Sequence, residues 1–179
     1  DAARVILHAT VAQFEGTAWT ISIPLQYIMQ GFPSYKKQHY GYAHKIAILD
    51  DAGNVENEYA YIGVTSRDWL KRMSEHFNEI KSGSNKLFHK TWREFIGKKN
   101  VILSSELIIG DHTFEQIMAW EETMVDRYMD EGVSLNMIPG GFKGMKYLHE
   151  HRLLSSGNAS LAERDRAIVE YQRNHPKAG

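Results

Sequence analysis

Residues 59–76 read YAYIGVTSRDWLKRMSEH, and this stretch decides the predicted fold. Its first six residues are mostly aromatic or β-branched, which predicts a strand. Thr65 then offers a helix N-cap with Asp68 three positions later. Apolar side chains repeat at helical spacing after it, at Trp69, Met73 and Phe77. The stretch therefore predicts a strand that leads directly into a helix ending near Glu79.

The neighbouring stretches complete a small layered domain. HKIAIL at residues 44–49 predicts a second strand, and the polar turn before residue 59 joins the two strands into a hairpin. Downstream, the pattern predicts a helix over 86–96, a strand over 100–110 and a helix from the capping box of Thr113 and Gln116 to about Asp130. The predicted fold class is α/β (α+β layered), with a small, three-stranded, mostly antiparallel sheet flanked by helices.

The remaining residues predict extensions on both sides of this core. Residues 1–40 are interpreted as an N-terminal extension that is strand-like until Pro24, and residues 41–141 as the core domain. Residues 142–179 form a basic segment with a helix capped by Ser160, which we expect to connect to a further domain. Because the first residue is Asp1, we expect more protein to flank the chain.

Composition narrows the class of protein. The 179 residues contain no cysteine, which excludes a disulfide scaffold, a thiol nucleophile and a sulfur-ligated zinc site. No apolar run reaches the roughly 20 residues of a membrane span, and no signal sequence opens the chain. We therefore expect a soluble, cytoplasmic protein, associated with the nucleoid or nucleus.

Charge is distributed unevenly although the net charge is only −1. Residues 81–100 are basic, with Lys81, Lys86, Lys90, Arg93, Lys98 and Lys99 against Glu94. Residues 111–131 carry seven acids against Arg127 alone. A basic surface beside an acidic cluster suits a metal-dependent nuclease, while two solvated helix faces explain the same pattern.

Several side chains could carry chemistry. Glu121 interrupts an apolar stripe on its helix, so it needs a bound cation, a basic partner or a cleft at the edge of the stripe. Arg72 and His76 lie one turn apart on the first helix, and arginine grips two phosphate oxygens. Tyr59 and Tyr61 share one face of their strand, where a phenol can position water.

The order of these residues resembles the GIY-YIG nuclease superfamily over residues 41–141. Tyr61, Ile62 and Gly63 are similar to the YIG element, and a helix with Arg72 and His76 follows. EETMVDRYMDEGVSLN is similar to the later motif, with Glu121 as its acid and Asn136 beyond the helix. The first hairpin strand departs from the family, because Ala47 stands at the simplest equivalent of the GIY tyrosine.

The resemblance implies a metal-dependent DNA endonuclease. In that mechanism Glu121 holds one Mg²⁺ or Mn²⁺, Arg72 neutralises the phosphate, and Asn136 supports the site. Tyr61, assisted by His76 or by another tyrosine, positions or deprotonates the attacking water. Tyr42 or His44 could fill the space of the missing tyrosine, Tyr59 could compensate for it, or the domain could be inactive.

Substrate contacts and rival functions complete the expectations. The predicted nucleic-acid contacts are Lys86, Lys90, Arg93, Lys98, Lys99, Lys143 and Lys146. DNA is the expected partner, and an RNA-cleaving domain or toxin is an alternative. A catalytically impaired nucleic-acid-binding module of the same fold is another. An interaction domain with chance motif matches predicts instead that Arg72, Glu121 and Tyr61 do not converge.

Overall fold

The computed structural model describes residues 6–14, 17–25 and 39–152. The strands are β1 (Ile6–Phe14), β2 (Thr17–Pro24), β3 (His39–Leu49), β4 (Val55–Thr65) and β5 (Val101–His112). The helices are α1 (Trp69–Lys81), α2 (Leu87–Phe95), α3 (Phe114–Asp130) and α4 (Gly141–Glu150). The helix predicted from Ser160 onward lies outside the described residues. None of the helices within these ranges is long and apolar enough to cross a membrane.

Within the described residues the sheet has five strands in the order β1-β2-β5-β3-β4, so the prediction of three strands was wrong. Strand β3 pairs antiparallel with β4, as the hairpin pattern indicated, and also pairs antiparallel with β5 on its other side. Strand β2 joins the other edge of β5 in parallel and carries β1 with it. Parallel strands are not joined by a hairpin turn, whose residues would mark the pairing in the sequence. The pairing of β2 with β5, between residues about 80 positions apart, therefore has no local sequence signal.

Strand β3 begins at His39, five residues before the predicted start. Residues 40–44 are all buried, so both faces of this part of the strand are covered. A strand covered on both faces lacks the polar alternation by which strands are recognised. The earlier start places Tyr42 opposite Gly63 of the neighbouring strand, while Ala47 pairs farther along with Glu58.

The two predicted helix caps had different outcomes. The Thr113 capping box is confirmed, since its side chain accepts from the backbone N–H of Gln116 and the Gln116 side chain accepts in return. The prediction of Thr65 as the cap of α1 was wrong. Asp68 caps this helix: its side chain accepts from the backbone N–H groups of Leu70 at 2.7 Å and Lys71 at 3.2 Å. Thr65 ends β4 instead, because its hydroxyl closes the short turn with Arg67.

The core lies on both faces of the sheet. Helices α1 and α2 cover one face, where Ile46 of β3 packs in the cluster that contains Trp92. Helix α3 covers the opposite face, where Ala43 packs with Val125 and Tyr128. Successive strand residues point to opposite faces, so β3 serves both layers. This arrangement brings α1 and α3 to the same end of the β3–β4 hairpin.

Candidate active site

One cavity of about 490 Å³ gathers most of the candidate catalytic residues that the sequence predicted. Its lining includes Tyr42, Tyr61, Arg72, His76, Lys86, Glu121 and Asn136. These residues come from β3, β4, α1, the start of α2, α3 and the segment before α4. The convergence of Arg72, Glu121 and Tyr61 contradicts an interaction domain with chance motif matches.

Tyr42 lies at the base of this cavity and is 1% exposed. Its hydroxyl is 3.0 Å from Nε2 of His76. The ring lies against Gly63, where a Cβ atom would come within 2.5 Å of the Tyr42 ring. Burial, with a smaller contribution from Tyr61, raises the pKa of Tyr42 well above its usual range. The phenol is therefore protonated at neutral pH, and Gly63 is the residue that leaves room for it.

Replacing Gly63 by alanine is expected to reduce activity more than stability. The added Cβ must displace the Tyr42 ring, because both are held by paired strands. For the nuclease that the resemblance implies, we expect at least a roughly tenfold loss of cleavage rate, since small misplacements of catalytic groups are costly. Plasmid nicking and thermal unfolding measure the two effects.

Gly53→Ala is the control for the backbone. Gly53 has a positive φ of 86° and nothing within 4 Å of an added Cβ. We expect it to cost about 1 kcal/mol of stability with no change in nicking. Equal activity loss in both variants would contradict the role assigned to Gly63.

Arg72 enters the cavity from α1 with a side chain that is 22% exposed. Its Nη1 atom donates to Glu75 at 3.0 Å, and Glu75 also accepts two hydrogen bonds from Arg67. Burial opposes the charge of Arg72, but the neighbouring Tyr42 and Tyr61 outweigh it and raise the pKa. A permanently charged guanidinium therefore faces the cavity, which suits a phosphate.

Glu121 has a partner that the sequence did not predict. Its Oε2 atom accepts from the backbone N–H of Gly141 at 3.0 Å, at the first residue of α4. The approach is close because Gly140 and Gly141 lack side chains; a Cβ on Gly140 would lie 2.5 Å from the Glu121 carbonyl oxygen. The N-terminus of a helix favours a carboxylate, and this hydrogen bond from α4 orients the Glu121 side chain.

The donor set fits a single hard cation. Mg²⁺ in proteins is commonly bound through one or two carboxylates, with waters and substrate phosphate completing the shell. Glu121 offers one carboxylate in the cavity, held in place by Gly141. Among the described residues no group of three or more histidines or acids gathers around one point. A closed protein cage is thus absent from this part of the chain, and an ion there would depend on the substrate for ligands.

Asn136 is a buried support for the YIG strand. Its side chain accepts from the N–H of Ile62 at 2.9 Å and donates to the carbonyl of Ile62 at 2.7 Å. These two bonds replace a missing strand neighbour along β4, next to the bridge between Ala60 and Ser134. Asn136 therefore holds the backbone between Tyr61 and Gly63.

The two tyrosines of β4 occupy different surroundings. Tyr61 lines the cavity, with its ring stacked on Phe88 at 4.8 Å and 5.3 Å from the ring of His76. Tyr59 packs instead near Phe95, at 6.3 Å between ring centroids, and is not among the cavity-lining residues. Tyr42 rather than Tyr59 thus supplies the second phenol of the cavity.

Two buried histidines lie next to the site; the sequence named His44 only as a substitute for the missing tyrosine and did not identify His89. His89 of α2 is fully buried, and its Nε2 atom is 2.9 Å from Nδ1 of His76. His44 is also fully buried and contacts Ser105 through Nδ1 at 2.8 Å. Burial, with smaller effects of His89 and Arg72, lowers the pKa of His44 to about 3. His76 and His89 lie on different helices, so spacing along the chain carries no signal of their contact.

The predicted basic contacts are dispersed. Lys86 lines the cavity and pairs with Glu79 at 2.6 Å. Lys143 pairs with Glu122 and Asp126 beside α3. Arg93 donates to the carbonyls of Ile80 and Ser84, so it joins α1 to α2. The others lie at the surface: Lys90 near Glu94, Lys98 over Phe95, Lys146 near Glu150, and Lys99.

The cavity between the sheet and the helices gathers an arginine, an acid, phenols and a histidine. The family model described as the GIY-YIG catalytic domain matches residues 51–133, which confirms the resemblance seen in the sequence. At the family level this match supports an endonuclease. No curated protein and no solved structure matches the chain. Tyr42 and Asn136 lie outside the matched residues, and the tertiary structure adds them to the same cavity.

Proposed function

We propose that this chain is a metal-dependent endonuclease that hydrolyses phosphodiester bonds in DNA. The observation that carries the proposal is the convergence of Arg72, Glu121 and the Tyr42–His76 pair on one cavity. Each contributes a property that phosphoryl transfer requires: a fixed positive charge, an oriented carboxylate, and a phenol in contact with a neutral base.

The reaction assigns a role to each residue. Arg72 binds a non-bridging oxygen of the scissile phosphate and stabilises the charge that develops there. The Tyr42 hydroxyl accepts a proton from water and passes its own proton to Nε2 of His76, as the water oxygen bonds to phosphorus and the bond to the leaving oxygen breaks. The leaving oxygen takes up a proton from solvent. Tyr61 borders the water, and Asn136 holds the strand that carries Tyr61. A single Mg²⁺ or Mn²⁺ on Glu121 would supply Lewis-acid charge at the phosphate.

Substrate binding outside the cavity would rest on surface cations. Lys86 lies at the cavity, and Lys143 and Lys146 belong to α4 beside Glu121. Side chains of this kind position a phosphate backbone without reading base sequence. Residues that contact only the phosphodiester do not distinguish DNA from RNA, so the experiment includes both polymers.

The test incubates the purified chain with supercoiled plasmid or end-labelled RNA in Mg²⁺, in Mn²⁺ or in EDTA. We expect nicking of plasmid in either metal and none in EDTA. The control is Glu121→Gln, whose amide oxygen can still accept from Gly141 while the charge is lost. We expect Glu121→Gln to need more metal and to nick at least about tenfold more slowly.

Other outcomes identify the alternatives. If the chain cleaves RNA but not DNA, RNA is the substrate and the proposal of a DNA endonuclease is overturned. Binding of both polymers without cleavage in any metal, by a folded wild-type chain, would overturn the enzyme and favour the impaired binding module.

A further inference from the structure

Four side chains form a continuous line of hydrogen bonds from the cavity to the α1–α2 loop. The Tyr42 hydroxyl is 3.0 Å from Nε2 of His76, and Nδ1 of His76 is 2.9 Å from Nε2 of His89. Nδ1 of His89 is 2.9 Å from the hydroxyl oxygen of Ser84. Each imidazole thus uses both ring nitrogens, one toward the cavity and one away from it.

The inner part of this line is almost inaccessible to solvent, although Tyr42, His76 and His89 form part of the cavity wall, whereas its outer end is more exposed. Tyr42, His76 and His89 are 2% exposed or less. Ser84 is half-buried in the loop, and Oε2 of Glu79 lies 3.5 Å from Nδ1 of His89. The Glu79 side chain is 37% exposed and also pairs with Lys86. A proton that reaches His89 therefore has an exit to water through Ser84 or Glu79.

We propose that His89, with Ser84, is a proton-relay and positioning element that carries the proton of Tyr42 away from the active site during phosphodiester hydrolysis. This inference rests on the proposed function. His89 acts through His76 and Tyr42, and it does not contact substrate.

The relay solves a specific difficulty of the site. Burial raises the pKa of the Tyr42 phenol and lowers the pKa of His76 below its usual range, so neither residue is charged at neutral pH. A neutral phenol can accept a proton from water only while it passes its own proton onward. Holding that proton on His76 would place a cation in an apolar site beside Arg72, which is costly. Transfer through His89 moves the charge to the surface.

Protons balance along the line. As the attacking water gives one proton to the Tyr42 oxygen, the Tyr42 proton moves to Nε2 of His76, and the Nδ1 proton of His76 moves to Nε2 of His89. The Nδ1 proton of His89 then leaves through Ser84 or Glu79 to solvent. The transfer leaves both rings neutral in the other tautomer. Both histidines return to their starting tautomer when each hydrogen bond of the line reverses its direction.

Neutral rings in this line must share one tautomer. If Tyr42 donates to His76, both histidines carry the proton on Nδ1; if Tyr42 accepts, both carry it on Nε2. Side-chain ¹⁵N NMR of the labelled wild-type chain at pH 7.5 reads the tautomers directly, with His89→Gln and His76→Gln variants for assignment. Matched tautomers support the relay, and unlike tautomers overturn it.

Kinetics then tests whether the line is used. In His89→Gln the amide can still accept from His76 but cannot pass a proton on. We expect kcat to fall about tenfold or more with KM unchanged, because a lost proton-transfer path affects the chemical step alone. A folded variant with wild-type kcat would overturn the relay.

Chemical rescue separates a relay from a structural role. His89→Ala removes the ring, and we expect added imidazole to restore at least about a third of the lost rate by occupying the space. Ile80→Ala opens a space at another buried residue, and imidazole should leave its rate unchanged. Rescue of both variants, or of neither, would overturn the relay.

The two proposals fail in different ways. A wild-type chain that cleaves nothing in any metal overturns the nuclease and the catalytic use of the relay. The NMR measurement needs no cleavage, so unlike tautomers overturn the relay even when the nuclease is active.

Discussion

An Arg72→Ala variant is expected to lose nuclease activity by a factor of about 100 to 1,000 while keeping its fold. The guanidinium is the fixed cation facing the cavity from α1, and its charge would be needed most when the phosphate gains charge in the transition state. Its removal deletes one hydrogen bond to Glu75, which keeps two from Arg67. The removal also deletes a hydrogen bond with Tyr42. We expect kcat to fall far more than stability, because the lost charge acts on the transition state.

Arg67→Ala is the matched control for this prediction. Arg67 binds the same carboxylate, through two hydrogen bonds of 2.7 and 2.8 Å, but its side chain is 51% exposed and is not part of the cavity lining. Surface ion pairs contribute about 1 kcal/mol or less, so stability should change little. Single-turnover plasmid nicking measures both variants. Equal losses for Arg67→Ala and Arg72→Ala would show that Glu75, rather than the charge in the cavity, governs the rate.

The second large effect is expected on stability in mild acid. Burial lowers the pKa of His44 to about 3 and lowers the pKa of His76 as well. Unfolding exposes both rings and returns each pKa to about 6.5. Below that pH the unfolded chain binds more protons than the folded chain, so stability is lost as the pH falls from about 6.5 toward the folded pKa.

At pH 5 both rings are still neutral in the folded chain, so the loss of stability depends only on the pKa of about 6.5 in the unfolded chain. Each buried neutral histidine loses about 2 kcal/mol between pH 7.5 and pH 5. Urea unfolding monitored by tryptophan fluorescence at both pH values measures the free energy of unfolding. An unchanged free energy between them would show that protons reach the buried rings in the folded state.

Two variants isolate the histidines responsible. His44→Asn places an amide nitrogen where Nδ1 contacts Ser105, and we expect the pH dependence to fall by about 2 kcal/mol while the part due to His76 remains. His149→Gln alters an exposed histidine at the end of α4, and we expect the full pH dependence to remain. A full dependence in His44→Asn would assign the effect to other groups.

The site residues that the sequence predicts are those whose side-chain direction follows from their spacing within a single helix. Arg72 and His76 share a face of α1 because they lie one turn apart, and both line the cavity. Glu121 interrupts an apolar stripe, and the resemblance favours it over Glu122 because Val125 and Tyr128 fall at the aliphatic and aromatic positions of the later motif. Glu121 lines the cavity, while Glu122 pairs with Lys143. In each case the spacing within one helix determines the direction of the side chain.

The part that sequence did not predict depends on contacts between distant segments. The place of Tyr42 was left open because β3 is buried on both faces, so the strand showed no polar alternation and its start was set too late. The contact between His76 and His89 joins two helices, and the bond from Gly141 to Glu121 joins α4 to α3. No period within either segment encodes such a pair.

By itself the sequence determined the β3–β4 hairpin, the helix that carries Arg72, and the capped helix that carries Glu121, because propensity, capping and periodicity act within a few turns of chain. Only the tertiary structure decided that β2 joins β5 in parallel, that Tyr42 fills the space left by Gly63, and that two histidines connect Tyr42 to the surface. Packing between segments far apart in the chain governs these features, and it depends on the shapes of both partners at once.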